Sequence, residues 1–88
     1  MQGARVANLT PALADEMQMD MMARGVVVTG VAGNSQAARF GFREGDIVRQ
    51  INGERIASVA QLRRALTGSD EWQMAIQRGD QVLQLAVQ

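Results

Sequence analysis

Apolar and polar residues alternate in short blocks along this chain, and most blocks close on a Gly, Asn, Asp or Ser. Thr10-Pro11 opens the first helical block. Thr10 suits the N-cap, and Pro11 suits the first helical position, where a missing N–H costs nothing. Asp15 and Glu16 fall near the positive end of that helix's dipole. Leu13 and Met17, one helical turn apart, predict its buried stripe. The run Gly25-Val26-Val27-Val28-Thr29-Gly30-Val31 is β-branched and bounded by glycine, which predicts a strand. Gly33-Asn34 turns the chain, Ser35 caps a short helix over 36–40, and Gly41 occupies the C′ position.

Ile47-Val48-Arg49-Gln50-Ile51 predicts a second strand. Asn52-Gly53 then folds it back as a hairpin through Glu54-Arg55-Ile56, because both turn residues accept positive φ. Ser58 and Gln61 form a capping box before a helix whose Val59, Leu62 and Leu66 follow the helical period, with Gly68 as its terminator. Two alternating strands, 72–76 and 83–87, flank a turn at 78–81. The sum is an α+β domain of about five or six strands in a small, partly open barrel or sandwich, with two or three short helices. No linker, repeat or low-complexity segment interrupts residues 1–88, so a single domain is expected.

Composition narrows the chemistry. The 88 residues contain no His, Cys, Tyr or Lys, and all nine basic residues are arginine against nine acids. A Ser-His-Asp or Cys-His nucleophile is therefore impossible, as are a Schiff-base lysine and nitrogen or sulfur zinc ligands. No catalytic residue, metal ligand or cofactor site is assigned. Net charge zero and three aromatic residues (one Trp, two Phe) argue against nucleic acid. No apolar run approaches the roughly 20 residues that span a bilayer, and no signal peptide is visible. A chain of this length buries about 60–65% of its unfolded surface, enough for one core without disulfides.

Three local patterns invite a sharper reading. The acid pairs Asp15/Glu16, Glu44/Asp46 and Asp70/Glu71 lack the alternating ligand spacing of a calcium loop and sit beside helix starts or turns, where solvated acids belong. Arg78-Gly79-Asp80 has the composition of an adhesion tripeptide, but between alternating strands it is hairpin chemistry. Met17, Met19, Met21 and Met22 offer a plastic surface, although Met17 also fits the core and the others the link to the next strand.

A longer constellation is more specific. Gly25-Val26-Val27-Val28, then 35–48 (SQAARFGFREGDIV), then Ile51-Asn52-Gly53, then 58–66 (SVAQLRRAL) together resemble a bacterial PDZ domain, and the resemblance covers essentially the whole chain. The opening 9–14 and the closing 82–87 resemble the circularly permuted PDZ domains of the HtrA/Do serine proteases, in particular their second, C-terminal copy. Independently of the family, Phe42 between Gly41 and Gly45 is placed to plug the core, and Asp46 to hydrogen-bond turn N–H groups in a structural role.

The resemblance implies a non-catalytic module that recognises extended, hydrophobic C-terminal peptides by β-augmentation. Carried onto this sequence, the carboxylate loop is Gln2-Gly3-Ala4, and the edge strand runs Ala4-Arg5-Val6-Ala7. The facing helix is the one opened by Ser58, presenting Val59, Arg63 and Leu66. Val6 and Leu66 line the terminal side-chain pocket, Arg63 selects an acidic or polar residue further back, and Leu62 and Ala65 point inward. The loop departs from the family pattern, which places bulky hydrophobic residues on both sides of its glycine; here Gln2 and Ala4 stand there. The implied partners are C-termini of unfolded or misfolded proteins in the periplasm, and the implied parent is a serine endopeptidase. Two other readings stay open: an assembly module docking on neighbouring protease or PDZ domains of a homo-oligomer, and a PDZ domain of a membrane protease or secretion protein.

Overall fold

The computed structural model describes residues 2–67 and 71–87. Six strands and three short helices follow in the order β1 (Ala4–Asn8), α1 (Pro11–Glu16), β2 (Val26–Val31), α2 (Gln36–Phe40), β3 (Ile47–Ile51), β4 (Glu54–Arg55), α3 (Val59–Leu66), β5 (Trp72–Arg78) and β6 (Gln81–Val87). The α+β class is as expected and takes the form of one sheet. Its path is β1-β2-β3-β5-β6, with β4 branching from β3, and every pairing is antiparallel.

Local chemistry explains most of the boundaries. Thr10, Ser35 and Ser58 each cap a helix, their hydroxyl oxygens accepting from the N–H of Leu13, Ala38 and Gln61. Asn52 and Gly53 both take positive φ (51° and 84°), so the β3–β4 hairpin closes in a two-residue turn. The capping box differs from expectation by one residue. Gln61 Oε1 accepts from the Ala57 N–H at 2.8 Å, and its Nε2 donates to the Arg55 carbonyl at 3.1 Å. Gln61 thus ties α3 to the strand before it. The helix stops at Leu66 with Thr67 as C-cap, and the expected terminator Gly68 lies outside the described residues.

Two clusters make the core. The larger joins Val26, Val28, Val48, Ile51 and Ile76 of the sheet to Leu62 of α3, Ala37 of α2 and Phe42. The smaller places Val27 and Ile47 against Leu9 and Ala14. Here the expected stripe of α1 shifts. Ala14 is its fully buried residue, while Leu13 and Met17 are half-buried at the border of the cluster. A six-residue helix leaves only its innermost face enclosed, and a small side chain fits closest to the sheet.

Asp46 is the one polar residue among the buried set, with 0% exposure. Arg78 meets its carboxylate with a two-bonded fork: Nε to Oδ1 and Nη2 to Oδ2, both at 2.8 Å. The Arg43 N–H adds a third bond to Oδ2 at 2.9 Å, and Arg78 Nη2 also donates to the Gly41 carbonyl at 2.7 Å. The hydrogen bond to Asp46, outweighing partial desolvation, raises the Arg78 pKa above its ordinary value. A cation stabilised in this way contributes fully below its unfolded pKa and loses that contribution only as pH rises through the still higher folded one. On the arginine side the interaction is therefore unaffected as pH rises through the neutral and moderately alkaline range, and substitution is what probes it.

Replacing Arg78 by Met strands a buried carboxylate, and the expected loss is about 3 kcal/mol of unfolding free energy in urea or guanidinium titrations. Arg78→Lys keeps the charge without the planar fork and should lose roughly half of that.

Candidate functional site

One edge of the sheet lies beside a helix. Among the described residues β2 is the one strand that pairs with β1, and α3 packs alongside β1. The direction of the backbone groups follows from two bonds. The Gly3 carbonyl accepts from the Ala32 N–H at 3.0 Å, and the Leu9 N–H donates to the Gly25 carbonyl at 2.8 Å, so residues 3 and 9 point toward β2. Strand alternation then turns the main-chain N–H and C=O groups of Val6 and Asn8 toward the side away from β2. The extra residue of the β1–β2 bulge, Thr29, belongs to β2, so this parity is kept along β1.

The loop before β1 is tightly held. Gln2 and Gly3 both have positive φ (52° and 103°). The Gln2 carbonyl accepts from Ala37 N–H at 3.1 Å, within the first turn of α2. Because peptide planes are trans, the Gly3 N–H points away from α2. Glycine is required here twice over, since a Cβ at position 3 would run into the Ser35 side chain. Ser35 itself is committed, donating to the Ala32 carbonyl at 2.7 Å while capping α2.

The far end is pinned by a side chain that sequence reasoning did not single out. Asn8 Oδ1 accepts from the Val59 N–H at 2.8 Å, joining the last residue of β1 to the first turn of α3. These residues are 51 positions apart, so no local pattern announces the bond. The strand is joined to α3 at its Asn8 end, while the Gln2–Gly3 turn at its other end is held by α2 and Ala32.

Between them the proposed residues come together as follows. Val6, Val59 and Leu66 are half-buried and pack on the border of the main core, whose Leu62 and Ala4 lie beneath. Ala65 is half-buried and packs against the core, in keeping with its inward assignment. Arg63 is exposed on α3, and Arg5 is exposed on β1, its guanidinium lying over Gly30. Ala7 is half-buried and Gln2 exposed. The result is an apolar strip between the terminal strand and a helix. Its polar resources are backbone groups and a cationic flank. Among the described residues no group of His, Cys, Asp and Glu is placed to hold a metal, and no helix is long and apolar enough to cross a membrane.

Comparison with known proteins gives a consistent picture. The family model described as PDZ domain matches residues 27–78. A probable periplasmic serine endoprotease, DegP-like, of Chlamydia trachomatis is 34% identical over 67 residues, covering 76% of this chain and 14% of that protein. Periplasmic serine endoprotease DegP of Salmonella typhimurium is 35% identical over 74 residues, covering 83% and 16%. Human serine protease HTRA3 is 28% identical across 97% of this chain and 20% of its own length. The chain thus spans a fifth or less of these relatives. Among solved structures, the HtrA3 PDZ domain bound to a phage-derived ligand (FGRWV) superposes with a TM-score of 0.83 at 29% identity, covering 99% of this chain and 82% of that one. The HtrA-type protease AlgW with a decapeptide gives 0.81 at 26% identity, covering 100% and 28%.

Asn8→Ala removes the acceptor at the head of α3. The expected loss is about 1 kcal/mol of stability. Amide hydrogen exchange of Val59 should accelerate well beyond that of Leu62, which would show that the change is local to the strand–helix junction.

Proposed function

The chain belongs to the PDZ domain family, and from that premise we propose that all 88 residues act as one non-catalytic domain that binds extended C-terminal peptides in the strip between β1 and α3. The observation that carries this reading is that β1 is the terminal strand of the sheet and lies beside α3 over half-buried Val6, Val59 and Leu66. A peptide added there as an antiparallel strand meets the N–H and C=O groups of Val6 and Asn8, which supply affinity without regard to side chains. Its final apolar side chain sits between Val6 and Leu66. Its carboxylate reaches the loop Gln2-Gly3-Ala4, where the Gly3 N–H is turned outward and two positive-φ residues form a concave turn. Arg63, exposed on α3, flanks the rest of the strip and favours acidic or polar side chains upstream. The similar HtrA3 PDZ domain bound to a phage-derived ligand and AlgW with a decapeptide support a peptide-binding role.

The parent we infer is an HtrA/Do-type periplasmic serine endopeptidase, in keeping with the periplasmic DegP relatives, with this copy corresponding to the second PDZ domain and carrying its permuted element order. The substrates so presented are exposed hydrophobic C-termini of unfolded or misfolded proteins. The residues here hold the recognising surface, and the proteolytic nucleophile belongs to a different domain.

The deciding measurement is a titration with a short peptide ending in a free-acid Val or Phe, followed by backbone amide shifts. Saturable shifts at Gly3, Val6, Val59 and Leu66 are expected. Amidating the peptide's C-terminus should weaken binding at least about tenfold, the value of one charge-assisted hydrogen bond. Absence of saturable binding, or indifference to amidation, overturns the assignment.

A further inference from the structure

The arginines of this chain are not equally neutralised. Arg78 is paired with Asp46, but Arg24, Arg49 and Arg55 converge on a separate cleft of about 380 Å³, completed by Gly25, Ile56 and Ala57. No carboxylate lines it.

The cleft is a consequence of backbone design. The β3–β5 register shifts between Val48 and Gln50, leaving Arg49 as the extra residue of a bulge, a device that re-aims a side chain. Gly25 stands beside it, where a Cβ would lie 3.4 Å from Arg49 Nη1. Arg49 is then clamped by neutral acceptors. Its Nε and Nη2 donate to Gln77 Oε1 at 2.9 and 2.6 Å, and its Nη1 donates to the Arg24 carbonyl at 3.0 Å. Arg24 is held in the same manner, with Nη1 donating to the carbonyls of Met21 and Ala23, both at 2.9 Å.

Amide and carbonyl oxygens orient a guanidinium without cancelling its charge. Three acids stand nearby without lining the cleft. Asp20 and Asp80 border the adjoining cleft that Arg49 also borders. Glu54 precedes Arg55 in β4 and is exposed. Among the described residues none of the three is ion-paired to Arg24, Arg49 or Arg55. What results is two oriented cations, Arg24 and Arg49, with N–H donors to spare, and the exposed Arg55 beside them.

We propose that this cleft binds a phosphate group. A carboxylate presents two oxygens in one plane and is satisfied by one guanidinium fork, whereas a terminal phosphate carries three oxygens and matches forks converging from several sides. The site is distinct from the peptide strip, since Val6, Val59, Arg63 and Leu66 take no part in its lining. The phosphate can come from a soluble phosphate or polyphosphate, or from a phosphomonoester lipid headgroup.

Titration of the protein with pyrophosphate at low ionic strength, followed through backbone amides and arginine Nε–H signals, should give saturable shifts at Arg24, Gly25, Arg49 and Ala57. Arg55→Gln and Arg24→Gln are exposed-site changes and should each weaken binding about tenfold, or ~1.4 kcal/mol. Arg63→Gln on α3 should leave it unchanged. Sedimentation with phosphatidic acid vesicles, against phosphatidylglycerol vesicles of equal charge, separates the sources. Pelleting with the former alone, competed by pyrophosphate, identifies a lipid headgroup; no pelleting with retained pyrophosphate binding identifies a soluble phosphate. Non-saturable shifts, or an Arg63→Gln effect as large as that of Arg55→Gln, overturn the proposal.

Discussion

A carboxylate with no access to water must have its charge met within the protein, and Asp46 organises this fold around that requirement. Its side chain takes the Arg78 fork and the Arg43 N–H, while its main-chain oxygen accepts from Val28 at 2.8 Å and its N–H donates to Arg43 at 3.1 Å. The loop from Gly41 to Asp46 is thereby fastened to the centre of β2 and to the end of β5. Phe42, carried on that loop, is pressed into the main core at 5% exposure. One ion pair thus couples the start of β3, the turn into β6 and the plug that seals the core beneath α2.

That rigidity matters at the opposite edge because binding by strand addition relies on pre-set geometry. An exposed edge that had to order itself would lose rotational freedom with every residue fixed, at about 1–2 kcal/mol each. Here β1 is bracketed by bonds made to other elements: Gly3 to Ala32, Gln2 to Ala37, and Asn8 to Val59. The backbone groups of Val6 and Asn8 are therefore presented in extended form before any partner arrives. An edge so exposed is also a hazard for self-pairing, and the shortness of β1, five residues closed at one end by the Gln2–Gly3 turn, limits it.

The elements that sequence pattern predicted well are those whose causes are local. Thr10, Ser35 and Ser58 cap helices because a hydroxyl needs only an N–H three residues ahead, and Asn52-Gly53 turns a hairpin because two adjacent residues accept positive φ. The candidate strip was legible for a related reason: Val59 and Leu66 are spaced by helical period, and Val6 falls in the resembling edge strand. What escaped was long-range. Arg78 read as a hairpin residue in a Gly-Asp turn, while its partner lies 32 positions away. Asn8 has no helix signal of its own, yet it completes the head of α3. The Arg49 bulge depends on how β3 meets β5, and Ala14 displaced Leu13 and Met17 from the deepest site because depth is set by the sheet against which α1 packs.

Zero net charge illustrates a related limit on composition. It weighs against a broad basic face of the kind nucleic acid requires, and that inference is sound at the scale of the whole surface. A binding cleft, however, responds to charges within about one Debye length, roughly 8–10 Å at ordinary salt. The acids that balance the sum lie outside its lining: Asp15 and Glu16 on α1, Asp20 and Asp80 along the adjoining cleft, Glu54 exposed on β4, and Asp46 spent inside the fold on Arg78. Arg24, Arg49 and Arg55 are assembled from the link before β2, from β3 and from β4, segments that no composition window samples together. Since no carboxylate lines the cleft, the arithmetic that cancels to zero along the chain does not cancel among its lining residues. Local potential follows which charges are already partnered, and here the partnered acid and the unpartnered cations are set apart by the strand pairing itself.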